Sequence, residues 1–146
     1  AVAGGSKTSN NQDFWKAVAR YKVADTELGL GYEYENQDRV TGADQKQGAW
    51  MAAVTQRFGN FGLGLAYVSL GKRKGAGSGA VKDEDYKANQ WALSGTYDLS
   101  KRTQVQAYAT RITNKAAQQA NFVINPLTVN AGADPQAYGV ALKHSF

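Results

Sequence analysis

Charged side chains at alternate positions of two neighbouring segments are the residues best placed to do chemistry. The first segment is basic and the second acidic: Lys16, Arg20 and Lys22, then Glu27, Glu33 and Glu35. On paired strands such charges share one face, where unlike partners brace the wall through ion pairs. Alternatively, members without a partner create a transverse field that orders water and sorts ions. We favour bracing for most of them.

Five of the charged residues are candidates for lining an aqueous path. Lys16 and Arg20, nearer mid-height, are the better candidates, and Glu33 faces them from the neighbouring segment. Arg57 and Lys143 fall near the ends of their segments. We therefore predict that these last two line one mouth of the path.

Residue types needed for covalent or metal chemistry are scarce. The chain has no cysteine and one histidine, His144. Disulfides and thiolate metal sites are therefore impossible, and one histidine argues against a zinc site or a Ser-His-Asp triad. No nucleophile, base and orienting group converge, so we expect no enzyme activity, no metal and no cofactor.

Two short motifs suggest nucleotide or nucleic-acid binding but have simpler interpretations. Gly59–Gly64 has the wrong spacing for a nucleotide loop and no helix follows it, so it is interpreted as a hairpin turn followed by small residues. The basic run Lys72–Lys74 is interpreted as a solvated outer loop near lipopolysaccharide phosphates. We expect no nucleic-acid partner.

The secondary-structure elements that hold these charged residues in place are predicted to be strands. The pattern is clearest in the last nine residues. Tyr138, Val140, Leu142, His144 and Phe146 alternate with small or polar residues. This period-two pattern predicts a strand with one apolar face. An aromatic carboxy-terminus on a half-apolar strand is typical of a bacterial outer-membrane barrel. We therefore predict that Phe146 is the signal that the outer-membrane assembly machinery reads.

Length and hydropathy are compatible with one membrane domain built from strands. The chain has 146 residues, a mean hydropathy of −0.50 and a net charge of +5. No window approaches 18 uninterrupted apolar residues, which excludes a transmembrane helix, but alternating barrel strands have the mean hydropathy of soluble proteins. The positive charge fits nucleic acid, anionic lipid or an anion-attracting lumen.

Seven strands are predicted, over residues 13–23, 26–36, 48–58, 61–70, 86–99, 103–113 and 136–146. The connections between them alternate strictly between short and long. Bacterial outer-membrane barrels have short periplasmic turns and long external loops, and about 10 residues per strand suffice to cross a bilayer. The pattern predicts an all-β, antiparallel transmembrane barrel.

Aromatic residues are predicted at both ends of one strand face, around a middle of Ala, Leu and Val. The end nearer the long loops has Trp15, Tyr34, Trp50, Tyr67, Trp91 and Tyr138. The end nearer the short turns has Tyr21, Phe58, Phe61, Tyr97 and Phe146. Two such belts are typical of the membrane interfaces. In a soluble core the aromatics would instead gather at mid-strand.

The odd strand count indicates a part of a larger barrel. Single-chain bacterial barrels have even strand numbers with both ends in the periplasm. Residues 1–12 show no alternation and are predicted to be an external loop rather than an eighth strand. We therefore expect the missing strands to come from the remainder of the barrel.

Three segments carry a resemblance to a known family: Gly29–Asn36, Tyr97–Thr110 and the terminal Tyr138–Phe146. They resemble the last part of the general diffusion porins of β-proteobacteria. Departures are Gln56, at an outward position often aromatic in that family, and the unlike long loops. The resemblance implies the last seven of sixteen strands, a homotrimer in the Gram-negative outer membrane, contact with lipid and lipopolysaccharide, and passive diffusion of small hydrophilic solutes. The excess of Lys and Arg over Asp and Glu indicates a leaning toward anions.

Two other hypotheses remain open. One is a small closed outer-membrane barrel with a structural, adhesive or lipid-binding role, but its interior would be packed by side chains. The abundant Gly and Ala on the inner face would leave voids there. The other is a soluble binding barrel, in which the apolar side chains point inward and the aromatics form no belts.

Overall fold

A computed structural model of the chain describes residues 11–123 and 128–146. Seven strands form one antiparallel sheet in which neighbours in sequence are neighbours in space. They are β1 (Asn11–Val23), β2 (Thr26–Asp38), β3 (Gln45–Phe58), β4 (Phe61–Leu70), β5 (Ala88–Asp98), β6 (Thr103–Asn114) and β7 (Gln136–His144). The predicted all-β class with seven antiparallel strands is confirmed. Among the described residues no helix is long and apolar enough to cross a membrane.

The turns at one end of the sheet are tight. Ala24 and Gly59 open the connections β1–β2 and β3–β4 with positive φ values of 49° and 60°. Positive φ at the first central residue is what the primed hairpin turns require, because it matches the twist of the flanking strands. The β5–β6 turn closes through two backbone hydrogen bonds between Ser100 and Thr103. We call this end of the sheet the short-turn end.

The observed strands differ from the predicted ones at several ends. Asn11 and Gln12, predicted to be loop, belong to β1 because they pair with Asp38 and Gln37. Residues 1–10 of that predicted loop lie outside the described residues. β3 begins at Gln45 because its ladder with β2 continues to Gln37.

β2 and β6 end later than predicted, at Asp38 and Asn114. The other differences concern β5 and β7. Tyr86, predicted to start β5, lies in a 3-10 helix, Asp83–Tyr86. Its carbonyl accepts a hydrogen bond from the Gln47 side-chain amide instead of from the backbone of a neighbouring strand. Leu99 likewise lies beyond β5. β7 ends at His144, since its partner β6 begins opposite it at Thr103.

The register divides the sheet into two chemically different faces. The aromatic face contains the odd positions of β1, β4, β5 and β6 and the even positions of β2, β3 and β7. The polar face contains the alternate positions. Its mid-height row joins Arg20, Gly29, Ala53, Ala66 and Ala92 across five strands. The four members other than Arg20 are small and leave the polar face open.

Apolar burial is confined to a small region near the long loops. Of the apolar side chains described, only Ala88 and Ile112, each 4% exposed, and Pro135 are buried. Large apolar residues at mid-sheet stay exposed instead, such as Leu65 at 43% and Leu93 at 54%. A sheet that exposes this much apolar surface needs an apolar environment or a partner to cover it.

Both outer strands of the sheet are edges. In the described part of the chain β1 pairs only with β2 and β7 only with β6. An uncovered edge presents a row of backbone donors and acceptors that need partners. The sheet therefore does not close into a barrel by itself.

Candidate functional site

The polar face brings the basic residues of β1 against the acidic residues of β2. Lys16 Nζ lies 2.8 Å from Glu33 Oε2, and Arg20 Nε lies 3.1 Å from Glu27 Oε1. The first pair sits on one rung of the ladder, and the second crosses diagonally to the next rung. These contacts favour the wall-bracing interpretation, although all four side chains also remain at least 40% exposed.

The charge of the polar face is nearly balanced. Its strand positions carry Lys16, Arg20, Lys22, Arg57 and Lys143 against Glu27, Glu33, Glu35 and Asp98. The excess is therefore one positive charge, much smaller than the net charge of +5 for the chain. Most of the basic excess lies in the connections between strands, at the two ends of the wall.

A ladder of polar side chains crosses the lower part of the polar face, toward the short-turn end. Arg57 forms an ion pair with Asp98. The Gln104 amide donates to the other Asp98 oxygen at 2.6 Å, and Gln106 donates to Gln104 at 2.5 Å. This network satisfies Asp98, while Lys143 on the neighbouring strand forms no ion pair with any described residue.

Three large side chains on the polar face were not singled out from the sequence. Phe14 and Val18 share the parity of Lys16 and are 71% and 67% exposed. The Tyr108 ring lies so close to Gly139 that a Cβ atom on residue 139 would come within 3.0 Å of it. Counting parity along β1 and β6 would have placed all three on this face. They make the wall amphipathic rather than uniformly polar.

The upper aromatic belt, toward the long loops, is formed by ring contacts across neighbouring strands. Trp15 contacts Tyr32 and Tyr34 at centroid distances of 5.2 and 6.3 Å. Farther along, the ring of Tyr67 lies 5.1 Å from Trp50 and 4.3 Å from Trp91. Tyr32 was missing from the predicted belt, although it shares the parity of Tyr34. Tyr138, at 83% exposure, lies on the same face.

The lower belt lies beside the short turns. Phe58 pairs with Phe61, which pairs with Tyr97 on the next strand. Tyr21 lies on the same face of β1. All four are exposed, by 39–65%. Tyr21, Phe58, Phe61 and Tyr97 thus form a second group of exposed aromatic side chains, at the opposite end of the same face from the upper belt.

The carboxy-terminus continues this face beyond the last strand. The His144 ring contacts the Phe146 ring edge-on at 4.8 Å, and its Nδ1 lies 2.9 Å from Thr103 Oγ1. Phe146 is fully exposed. That exposure leaves the terminal ring accessible to a partner.

Two polar side chains on the aromatic face have hydrogen-bond or ion-pair partners. These partners lower the free-energy cost of placing a polar group in an apolar environment. Gln56 accepts a hydrogen bond from the Thr26 hydroxyl and donates to the Arg57 carbonyl at 2.9 Å. Arg111, near the long loops, pairs with Asp134 at 3.1 Å. Both positions lie toward an end of the sheet, where polar groups are tolerated.

Asp134, just before β7, is bonded to Asn114 and Arg111 at the end of β6. The Asn114 backbone N–H donates to the Asp134 carboxylate at 2.9 Å, and this bond, with the Arg111 guanidinium, holds the pKa of Asp134 below its usual range. A carboxyl group whose pKa is lowered on folding stabilises the fold above its unfolded pKa, and that contribution is lost as the pH falls through the folded value.

We therefore predict that amide hydrogen exchange at Asn114 accelerates relative to the strand amides as the pH falls below about 4. Hydrogen exchange followed by mass spectrometry measures this, after correction for intrinsic rates. In Asp134→Asn the acceleration is absent, because the side chain no longer titrates. An unchanged pH profile in that variant would show that Asp134 is not the titrating group.

The long loops are hydrogen-bonded to the upper end of the polar face. Gln47, only 8% exposed, donates to the carbonyls of Gly71 and Tyr86 and accepts from Arg73 Nε at 3.0 Å. Lys72 Nζ lies 3.1 Å from Glu84 Oε1. Hydrogen bonds from Lys87, the larger effect, and from Lys72 lower the pKa of Glu84. Two members of the basic run Lys72–Lys74 thus have partners within the protein.

The described residues contain no candidate metal-binding site. No group of three or more His, Cys, Asp or Glu side chains there could hold a metal ion. The geometry is that of a two-faced wall: one face with interfacial aromatics and aliphatic side chains, and one with small, polar and charged side chains.

Comparisons with known proteins agree with this geometry. Residues 1–117 match the family model described as Gram-negative porin. The solved anion-selective porin from Comamonas acidovorans is similar to this chain, with a TM-score of 0.69 and 23% sequence identity over 94% of the chain. At that identity the likeness shows the fold alone. The chain spans about 40% of the length of that solved porin. No curated protein matches the chain.

Proposed function

The chain belongs to the Gram-negative porin family, and from that premise we propose that it forms part of the wall of a water-filled outer-membrane channel. The observation that carries this proposal is the parity of the sheet. Its aromatic face exposes aliphatic side chains between two aromatic belts, and its polar face contains glycine, alanine and hydrophilic side chains, with Phe14, Val18 and Tyr108 among them. Lipid contacts the first face and water the second.

The channel carries small hydrophilic solutes by passive diffusion, with no chemical step. The small residues of the mid-height row keep the lumen open, and the ion pairs of β1 and β2 brace its wall. Lys16, Arg20 and Glu33 line the lumen at and above mid-height, and Arg57 and Lys143 line the periplasmic mouth. The single excess positive charge of the polar face favours anions weakly.

The remainder of the barrel supplies the partners of the β1 and β7 edges. By the family resemblance this chain is one barrel segment, the last seven strands of sixteen, and the channels associate as trimers in the outer membrane. The aromatic belts contact lipid and lipopolysaccharide at the two interfaces. Phe146, exposed beside His144, engages the assembly machinery.

Single-channel recording of the whole channel in a planar bilayer tests this proposal. With a salt gradient across the bilayer, we expect large ohmic steps in multiples of three and a reversal potential whose sign indicates weak anion preference. Folded protein that gives no steps would contradict the open channel and favour the closed barrel.

A further inference from the structure

A pocket of about 470 Å³ opens at the short-turn end of the polar face. Lys101 and Arg102 line it from the β5–β6 turn, and Lys143 lines it from β7. Asn60 and Ser145 add a side-chain amide and a hydroxyl. The pocket thus gathers three cations and several neutral polar side chains from three separate parts of the chain.

The cations of this pocket are not neutralised by the protein. None of the three forms an ion pair with a described residue. The one acidic side chain in the lining, Asp98, forms its ion pair with Arg57 instead. Gln104 also donates to Asp98, so both carboxylate oxygens are used within the wall. The charge that the pocket presents to solvent is therefore positive.

The pocket backbone is held in place independently of any ligand. Ser100 Oγ accepts hydrogen bonds from the backbone N–H groups of Arg102 and Thr103, at 3.2 and 3.1 Å. The Ser145 N–H donates to the Arg102 carbonyl at 2.9 Å, which ties the end of the chain to the same turn. A turn fixed in this way loses little further backbone freedom when a ligand binds.

We infer that this pocket is a binding site for a multiply charged oxyanion of the phosphate class at the periplasmic mouth. Lysine and arginine bind phosphate oxygens through charge-assisted hydrogen bonds, and a doubly charged anion gains more from three clustered cations than chloride does. The inference rests on the proposed channel only for its location, since it places the short turns on the periplasmic side.

Block of chloride current by inorganic phosphate in the whole reconstituted channel tests the site. Phosphate added on the short-turn side reduces the current at lower concentration than phosphate added on the other side. In the triple variant Lys101→Gln, Arg102→Gln and Lys143→Gln, the half-blocking concentration rises about tenfold. That change corresponds to about 1.4 kcal/mol, the amount expected of three exposed cationic contacts.

A matched control removes three cations at the opposite end of the wall: Lys74→Gln, Lys82→Gln and Lys115→Gln. This variant keeps the wild-type half-blocking concentration. Equal block in the wild type and the pocket variant would overturn the site while leaving the channel proposal standing. If the wild type does not conduct, the channel proposal fails, and calorimetric titration of phosphate into the folded protein still decides the pocket: a tenfold weaker affinity in the pocket variant supports it, and equal affinities overturn it.

Discussion

Arginine in place of Leu65 destabilises the protein in a lipid bilayer by about 2–4 kcal/mol, the cost of a cation on the lipid face near the midplane. Leu65 is the fifth of ten residues in β4, on the aromatic face, and is 43% exposed. The free energy of unfolding in urea, measured for the whole protein in lipid vesicles, gives this difference.

The neighbouring residue provides the matched control. Ala66 lies at the same height on the polar face, where its ladder partners are Ala53 and Ala92. Ala66→Arg therefore places the same cation in water among small side chains, and it changes the free energy of unfolding by less than about 1 kcal/mol. Equal losses in the two variants would mean that the two faces do not meet different solvents.

The second large effect concerns ion selectivity. The double variant Lys16→Gln, Arg20→Gln leaves Glu33 and Glu27 without their ion-pair partners on the polar face. A unit charge about 5 Å from a permeating ion in water is worth about 0.8 kcal/mol, or roughly a fourfold change in local ion concentration. We expect the permeability ratio of anion to cation to fall about fourfold or more.

Reversal potentials in a potassium chloride gradient measure this ratio for the whole channel. The control variant Lys74→Gln, Lys82→Gln removes the same charge from a long loop, and we expect it to leave the ratio within about twofold of the wild type because salt screens distant exposed charges. A double variant with wild-type selectivity would show that Lys16 and Arg20 brace the wall without governing the passage of ions.

Strand parity is the part of this molecule that the sequence predicts best. A period-two pattern assigns every side chain of a strand to a face, and a shift of one residue would exchange the two faces. The predicted belt residues Trp15, Trp50 and Trp91 accordingly share one face of the sheet. The same rule applied to Tyr108 would have revealed it on the polar face.

Strand ends and loop contacts were predicted less well, because they depend on residues distant in sequence. Tyr86 has strand propensity, but its carbonyl accepts a hydrogen bond from Gln47, which is 39 residues away. The sequence predicts Arg73 to be a solvated cation of an outer loop. In the folded chain its Nε donates a hydrogen bond to Gln47 Oε1 at 3.0 Å. The pocket around Lys143 has the same origin, since two turns and the last strand meet only in the folded sheet.

The most direct test of the two-faced wall is a cysteine scan along β4, since these 146 residues contain no cysteine of their own. Single cysteines from Gly62 to Val68 in the whole protein, folded in lipid vesicles, are treated with a water-soluble maleimide. We expect labelling at even positions, such as Ala66, and protection at odd positions, such as Leu65. Uniform labelling, or labelling with the opposite alternation, would contradict a wall that separates lipid from a water-filled channel.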